Sequence, residues 1–216
     1  MKDAKSLLND LIEGNIGFSA REGDKLSDLQ SGQSPFMTLV MCSDSRVSSA
    51  FCGMDTTNNF FIIRNIGNQV STSPGSVDYG VLHLHTPILM ILGHSGCGAV
   101  KASLSDYSEE TAEIKAELDT LQGPVKDTKD VSDSGKRNCL CIQKNVDNQI
   151  AFCLDRYRKL VDEGKLVIIG AFYDFHNKMS DELGRFYVMN VNGKTDADSI
   201  NALDIFEIGH FKRFEV

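Results

Sequence analysis

Residues 41–47 read MCSDSRV and set a thiol, a carboxylate and a guanidinium at alternate positions, Cys42, Asp44 and Arg46. Residues 93–100 read GHSGCGAV and place His94 and Cys97 three apart on a glycine-rich turn. A His-x-x-Cys pair alone is a weak signal. Joined to a third soft ligand at the end of another strand, it makes a set of two thiolates and one imidazole that suits zinc. Three protein ligands leave the fourth tetrahedral position for water or substrate, the pattern of a catalytic site. Zinc so held lowers the pKa of its water to roughly 7, which makes hydroxide available near neutral pH. Asp44, two residues from a ligand, is then placed to accept a hydrogen bond from that hydroxide and orient it. Arg46 fixes the carboxylate through a bidentate pair and keeps it off the metal. Without a metal the same residues read more simply. The cysteines become small buried residues, His94 a hydrogen-bonded loop histidine, and Asp44–Arg46 a surface ion pair of little worth.

For this chemistry to assemble, Cys42 and His94 must end neighbouring strands. Apolar runs of strand length occur at 36–41, 60–63, 87–93, 166–172 and 185–191, and the first four are apolar nearly throughout, as expected of strands covered on both faces. An amphipathic helix is predicted at the start, with Leu7, Leu8, Leu11, Ile12 and Ile16 at helical spacing. Further helices are predicted at 76–85, as two segments within 98–121, and over 138–163. The last carries Val146, Ile150, Cys153, Leu154, Tyr157 and Val161 on one side, with Gly164 as its C-terminal cap. Alternating strands and helices imply crossover connections and a mostly parallel α/β sheet flanked by helices. Such sheets gather ligands beyond the carboxyl ends of their strands, where Cys42 and His94 both fall.

At these residues the chain resembles the β-class carbonic anhydrases, whose zinc ligands lie in a Cys-x-Asp-x-Arg segment and a later His-x-x-Cys. The likeness extends over LLNDLIEGN, FFIIRNIGNQV, GSVDYGVLHLHTPILMILGHSGCGAV, NVDNQI and VIIGAFYDF, roughly residues 5 to 190. It implies four parallel strands plus an edge strand and one zinc ion per chain on Cys42, His94 and Cys97. It also implies a homodimer or tetramer, and hydration of CO2 to bicarbonate and a proton by zinc-bound hydroxide, with Asp44 and Arg46 as catalytic residues. A close relative acting on carbonyl sulfide or carbon disulfide would use the same site. Where family members often carry Gln or Glu and then Pro-Gly ahead of the second strand, this chain has Thr56, Thr57 and Asn58. Some members bind an inhibitory bicarbonate through Trp, Arg and Tyr; Arg64 and Tyr173 stand at two of these positions and Leu39 at the Trp position.

The bulk numbers fit a single domain over 1–216. The net charge of −8 argues against a nucleic-acid or anionic-membrane partner. Much of it is local, since residues 105–134 hold nine acids and three lysines and read as an acidic, solvated excursion. No leader pattern and no span-length apolar run is present. The six cysteines therefore read as thiols of a cytoplasmic protein, with Cys139, Cys141 and Cys153 in packing or surface roles. Other functions fit the motifs poorly. A cysteine phosphatase loop needs five residues between Cys and Arg, whereas three separate Cys42 from Arg46, and Asp44 would repel phosphate. A nucleotide-binding turn needs the spacing G-x-G-x-x-G, and glycines 93, 96 and 98 run in the reverse order. A noncatalytic zinc protein, with Asp44 closing the metal's fourth position, is the remaining alternative.

Overall fold

The computed structural model describes residues 2–205 and 211–215, and the chain forms two compact units, Met1–Ser34 and Pro35–Val216. The first is a single helix, α1 (Ala4–Asp28), whose N-terminus is capped by the Asp3 carboxylate accepting the Ser6 N–H at 2.8 Å. None of its side chains is buried, and Leu7, Leu8, Leu11, Ile12 and Ile16 are each more than half exposed.

The second unit is built on a five-stranded sheet in the order β2-β1-β3-β4-β5. The strands are β1 (Met37–Cys42), β2 (Phe60–Asn65), β3 (Ile88–His94), β4 (Val167–Asp174) and β5 (Arg185–Val191). The first four run parallel, and β5 closes one edge antiparallel to β4, so the α/β class with four parallel strands and an edge strand is the one observed. All six residues of β1 are buried. The run at 60–63 behaves differently: β2 has a neighbour on one side only, and Ile63 is its one buried residue.

The connecting helices are α2 (Pro74–Asp78), α3 (Gly98–Ser103), α4 (Ala112–Asp119), α5 (Gln122–Asp127), α6 (Ser134–Asp162) and α7 (Ala197–Asn201). The helix predicted over 76–85 is α2 followed by a wider turn over Tyr79–His83, in which the Leu84 N–H reaches back five residues to the Tyr79 carbonyl. α6 starts four residues before its apolar periodicity does, because Asp133 caps it by accepting the Lys136 N–H. It ends beside Gly164, whose φ of 67° is the left-handed geometry of a helix terminus. The acidic excursion contains α4 and α5 and buries Leu118, Leu121 and Pro124.

Alternation along the strands sends Val40, Leu89 and Ile91 to the face covered by Val146 and Ile150 of α6, and Leu39, Met41, Met90 and Leu92 to the opposite face. Close approach of α6 depends on Gly93. A Cβ there would lie 2.9 Å from the methyls of both Ile142 and Val146. The last residues of β3 are thereby clamped directly under a long helix, and this fixes the strand end that carries His94.

Candidate metal centre

β1 and β3 are direct neighbours, with Met41 opposite Leu92, so Cys42 and His94 emerge together at the carboxyl edge of the sheet. This edge is also where the strand order reverses, with β2 on one side of β1 and β3 on the other, the usual place for a ligand in an open α/β sheet. Cys97 reaches the same spot because the chain turns sharply at Gly96, whose φ of 68° is left-handed, before α3 begins. The Cys42 and Cys97 sulfurs stand 4.0 Å apart, and the candidate ligand atoms of Cys42, His94 and Cys97 all lie within 4.8 Å of one another. Two sulfurs bound at 2.3 Å by a tetrahedral zinc would be about 3.8 Å apart, close to the spacing present.

The protonation pattern fits as well. His94 Nδ1 lies 3.1 Å from the Ser95 carbonyl. A carbonyl only accepts, so Nδ1 carries the hydrogen and Nε2 presents a lone pair. That Nε2 is buried and has no hydrogen-bond partner, an arrangement that costs free energy unless something else fills the position. The neighbouring Cys97 thiol, with the backbone N–H groups of Asp44 and Gly67, brings Cys42 down to about 4 against the opposing effect of burial. Cys97 moves up, because Cys42 beside it and burial both oppose a second thiolate. A divalent cation removes that opposition, and two thiolates with one imidazole lone pair are a donor set for zinc.

Around this triad the loop following β1 is closely tied. Asp44 Oδ1 accepts from Arg46 Nε at 2.9 Å and from the Arg46 N–H at 3.0 Å, while Asp44 Oδ2 accepts from Arg46 Nη2 at 2.7 Å. Arg46 Nη2 also donates to the Gly96 carbonyl at 3.1 Å, which joins the two motif loops. The Arg46 guanidinium holds the Asp44 carboxyl well below the usual carboxylate range. Arg64, on β2, donates to three carbonyls of the same loop, those of Cys42, Asp44 and Val47, at 2.7–3.1 Å. Leu39 is fully buried in an apolar cluster that also takes in the partly buried Tyr173. Thr56, Thr57 and Asn58 lie in the loop ahead of β2, with Asn58 at a φ of 62°.

Phe175 is the main participant that the motifs do not reveal. Its ring stacks on His94 at 5.7 Å, tilted by 17°, and the Arg46 guanidinium carbon sits 5.1 Å from its centre. It is placed by Asp174, a fully buried carboxylate that accepts the N–H groups of His176, Lys178 and Met179, and by its own N–H donating to Ser95 Oγ at 3.0 Å. The one signal in the sequence is an aspartate followed by a polar turn directly after β4. Cys42, Ser43, Asp44, Ile66, Gly98 and Ala99 line an open cavity of about 320 Å³ beside the triad.

Comparison with known proteins agrees with this arrangement. Residues 37–180 match the family model described as carbonic anhydrase. Over 109 residues the chain is 32% identical to carbonic anhydrase 2 of Mycobacterium tuberculosis, a match covering 47% of this chain and 53% of that protein. It is 30% identical over 167 residues to beta carbonic anhydrase 3 of Arabidopsis thaliana, covering 69% of this chain and 64% of that one. The chain thus spans about half the length of the first of these relatives. Among solved structures, a tetrameric β-carbonic anhydrase from Sordaria macrospora shares the fold with a TM-score of 0.73 at 24% identity, covering 86% of this chain and 97% of that one.

Proposed function

This chain belongs to the β-carbonic anhydrase family, and on that premise we propose that it catalyses the reversible hydration of CO2 to bicarbonate and a proton. What carries the reading is the buried, unpartnered Nε2 of His94 beside two thiols, with the Asp44 carboxylate paired to Arg46. Cys42, His94 and Cys97 would hold one zinc ion. Zinc supplies the Lewis acidity that brings the ionisation of water to roughly pH 7.

The residues of the chain then divide the remaining tasks. Asp44, kept ionised by Arg46, is an acceptor only. A water at Asp44 must therefore donate to it, which turns an oxygen lone pair towards the substrate. Ile66 and Ala99 give the cavity an apolar wall against which CO2 can rest. Arg46 engages both carboxylate oxygens, so Asp44 would leave the metal's fourth position to water, which favours a catalytic over a purely structural zinc. Arg64 and Phe175 are positioning residues that hold the loop carrying Asp44 and the face of His94.

We further propose that the chain works as a homodimer or tetramer. α1 exposes a stripe of five leucines and isoleucines, and β2 is a half-exposed edge strand, surfaces that a second copy would cover. A cytoplasmic location suits the six cysteines, all free thiols, and no helix among the described residues is long and apolar enough to cross a membrane. Metal analysis combined with stopped-flow CO2 hydration tests the activity. One zinc per chain and turnover rising through neutral pH are expected, and full zinc occupancy without turnover would refute the reading.

A further inference from the structure

A second cavity, of about 420 Å³, opens between α3, the first turn of α6 and the loop that follows β4. It shares no lining residue with the cavity beside the triad. Three cationic side chains face it, Lys101, Arg137 and Lys178, together with His176. None of the three forms an ion pair among the described residues. Arg137 is the most telling. Its Nε is buried without a partner, and its Nη2 has only a long contact of 3.4 Å to the Val125 carbonyl. Ser134 and Gly135, at the start of the 29-residue α6, also line the cavity, and first-turn amides of a helix lack intrahelical partners and favour an anion. No carboxylate is among the residues that line the cavity, and Asp133, just ahead of Ser134, caps α6 by accepting the Lys136 N–H. Asp174, two residues before His176, is engaged by three backbone N–H groups. Leu104 and Cys139 give the remaining wall an apolar character.

We propose that this cavity binds a phosphate monoester, the phosphate between Lys101, Arg137 and Lys178 and the organic part against Leu104 and Cys139. Three cations exceed what a single carboxylate ligand needs, and the cavity is larger than a bare phosphate requires. Gly96 lines it as well, and the Gly96 carbonyl accepts from Arg46, so the occupant would lie against the turn joining His94 to Cys97. The proposal stands independently of the CO2 chemistry.

The test is calorimetric titration of the zinc-loaded full chain with phenyl phosphate and, separately, with inorganic phosphate. Saturable one-to-one binding is expected, tighter for phenyl phosphate. In Lys101→Gln/Lys178→Gln it should weaken by about tenfold or more, the size of one or two charge-assisted hydrogen bonds, with zinc content and hydration rate unchanged. Equal affinity in the variant would place the anion elsewhere, including at the metal, and overturn the site. Inorganic phosphate binding as tightly as phenyl phosphate would overturn the ester, and so would the absence of saturable binding.

Discussion

Asp44–Arg46 and Asp78–Arg156 are both two-pronged carboxylate–guanidinium pairs, yet they serve different ends. The first closes within one loop, two residues apart, and holds a carboxylate that lines a cavity with Cys42. The second joins the end of α2 to α6 across 78 residues, with the Tyr157 hydroxyl donating to Asp78 Oδ1 at 2.7 Å as well. In each pair the guanidinium pulls the carboxyl below its usual range. Both carboxylates stay partly exposed, 15% for Asp44 and 25% for Asp78; what differs is that Asp44 lines a cavity with Cys42, whereas Asp78 ties two helices together. The same pairing thus borders a cavity in one place and joins two helices in the other.

Breaking each region separately should sharpen that contrast. The largest effect is expected from Cys97→Ser, which removes a metal ligand: zinc affinity falls by more than about 100-fold, seen by metal analysis after dialysis, and hydration drops to background. Next is Asp44→Asn, which should retain zinc while kcat/KM falls about 100-fold, the usual penalty for a misplaced nucleophile, and the melting midpoint barely moves. Asp78→Asn should do the reverse, lowering the midpoint by about 2–4 °C while turnover per zinc stays at the wild-type value. The smallest effect concerns pH. Because the folded Asp78 carboxyl lies below its ordinary value, its stabilisation is complete above about pH 4 and is lost as pH falls through the lowered folded value. Denaturant melts of wild type and Asp78→Asn should therefore differ at pH 7 and converge towards pH 2.

The sequence exposes the two pairs unequally for the same physical reason. Cys42, Asp44 and Arg46 sit in five consecutive residues, and His94 and Cys97 in four, so local spacing reports them; that β1 and β3 are neighbours is a requirement of the zinc reading, and the sheet order meets it. Asp78, Arg156 and Tyr157 meet only because α2 and α6 cover the same face of the sheet, which no local pattern encodes. Phe175 is hidden likewise, since its role depends on where β4 ends relative to β3. Arg64 is visible as a residue, but its three carbonyl partners come from the β1–β2 register. The apolar run at 60–63 shows the converse limit. Its composition suits a central strand, whereas β2 is an edge with one buried residue, and composition does not distinguish a strand flanked on both sides from one at the edge of the sheet.

The central claim is that Cys42, His94 and Cys97 would hold a zinc ion and that Asp44 orients the water consumed in hydration. Stopped-flow CO2 hydration by wild type and Asp44→Asn, each with quantified zinc and from about pH 6 to 9, tests it most directly. One zinc per chain in both proteins, with fast turnover in wild type and about 100-fold slower turnover in the variant, is the predicted result. Equal turnover in the two proteins, or none in fully zinc-loaded wild type, would contradict it.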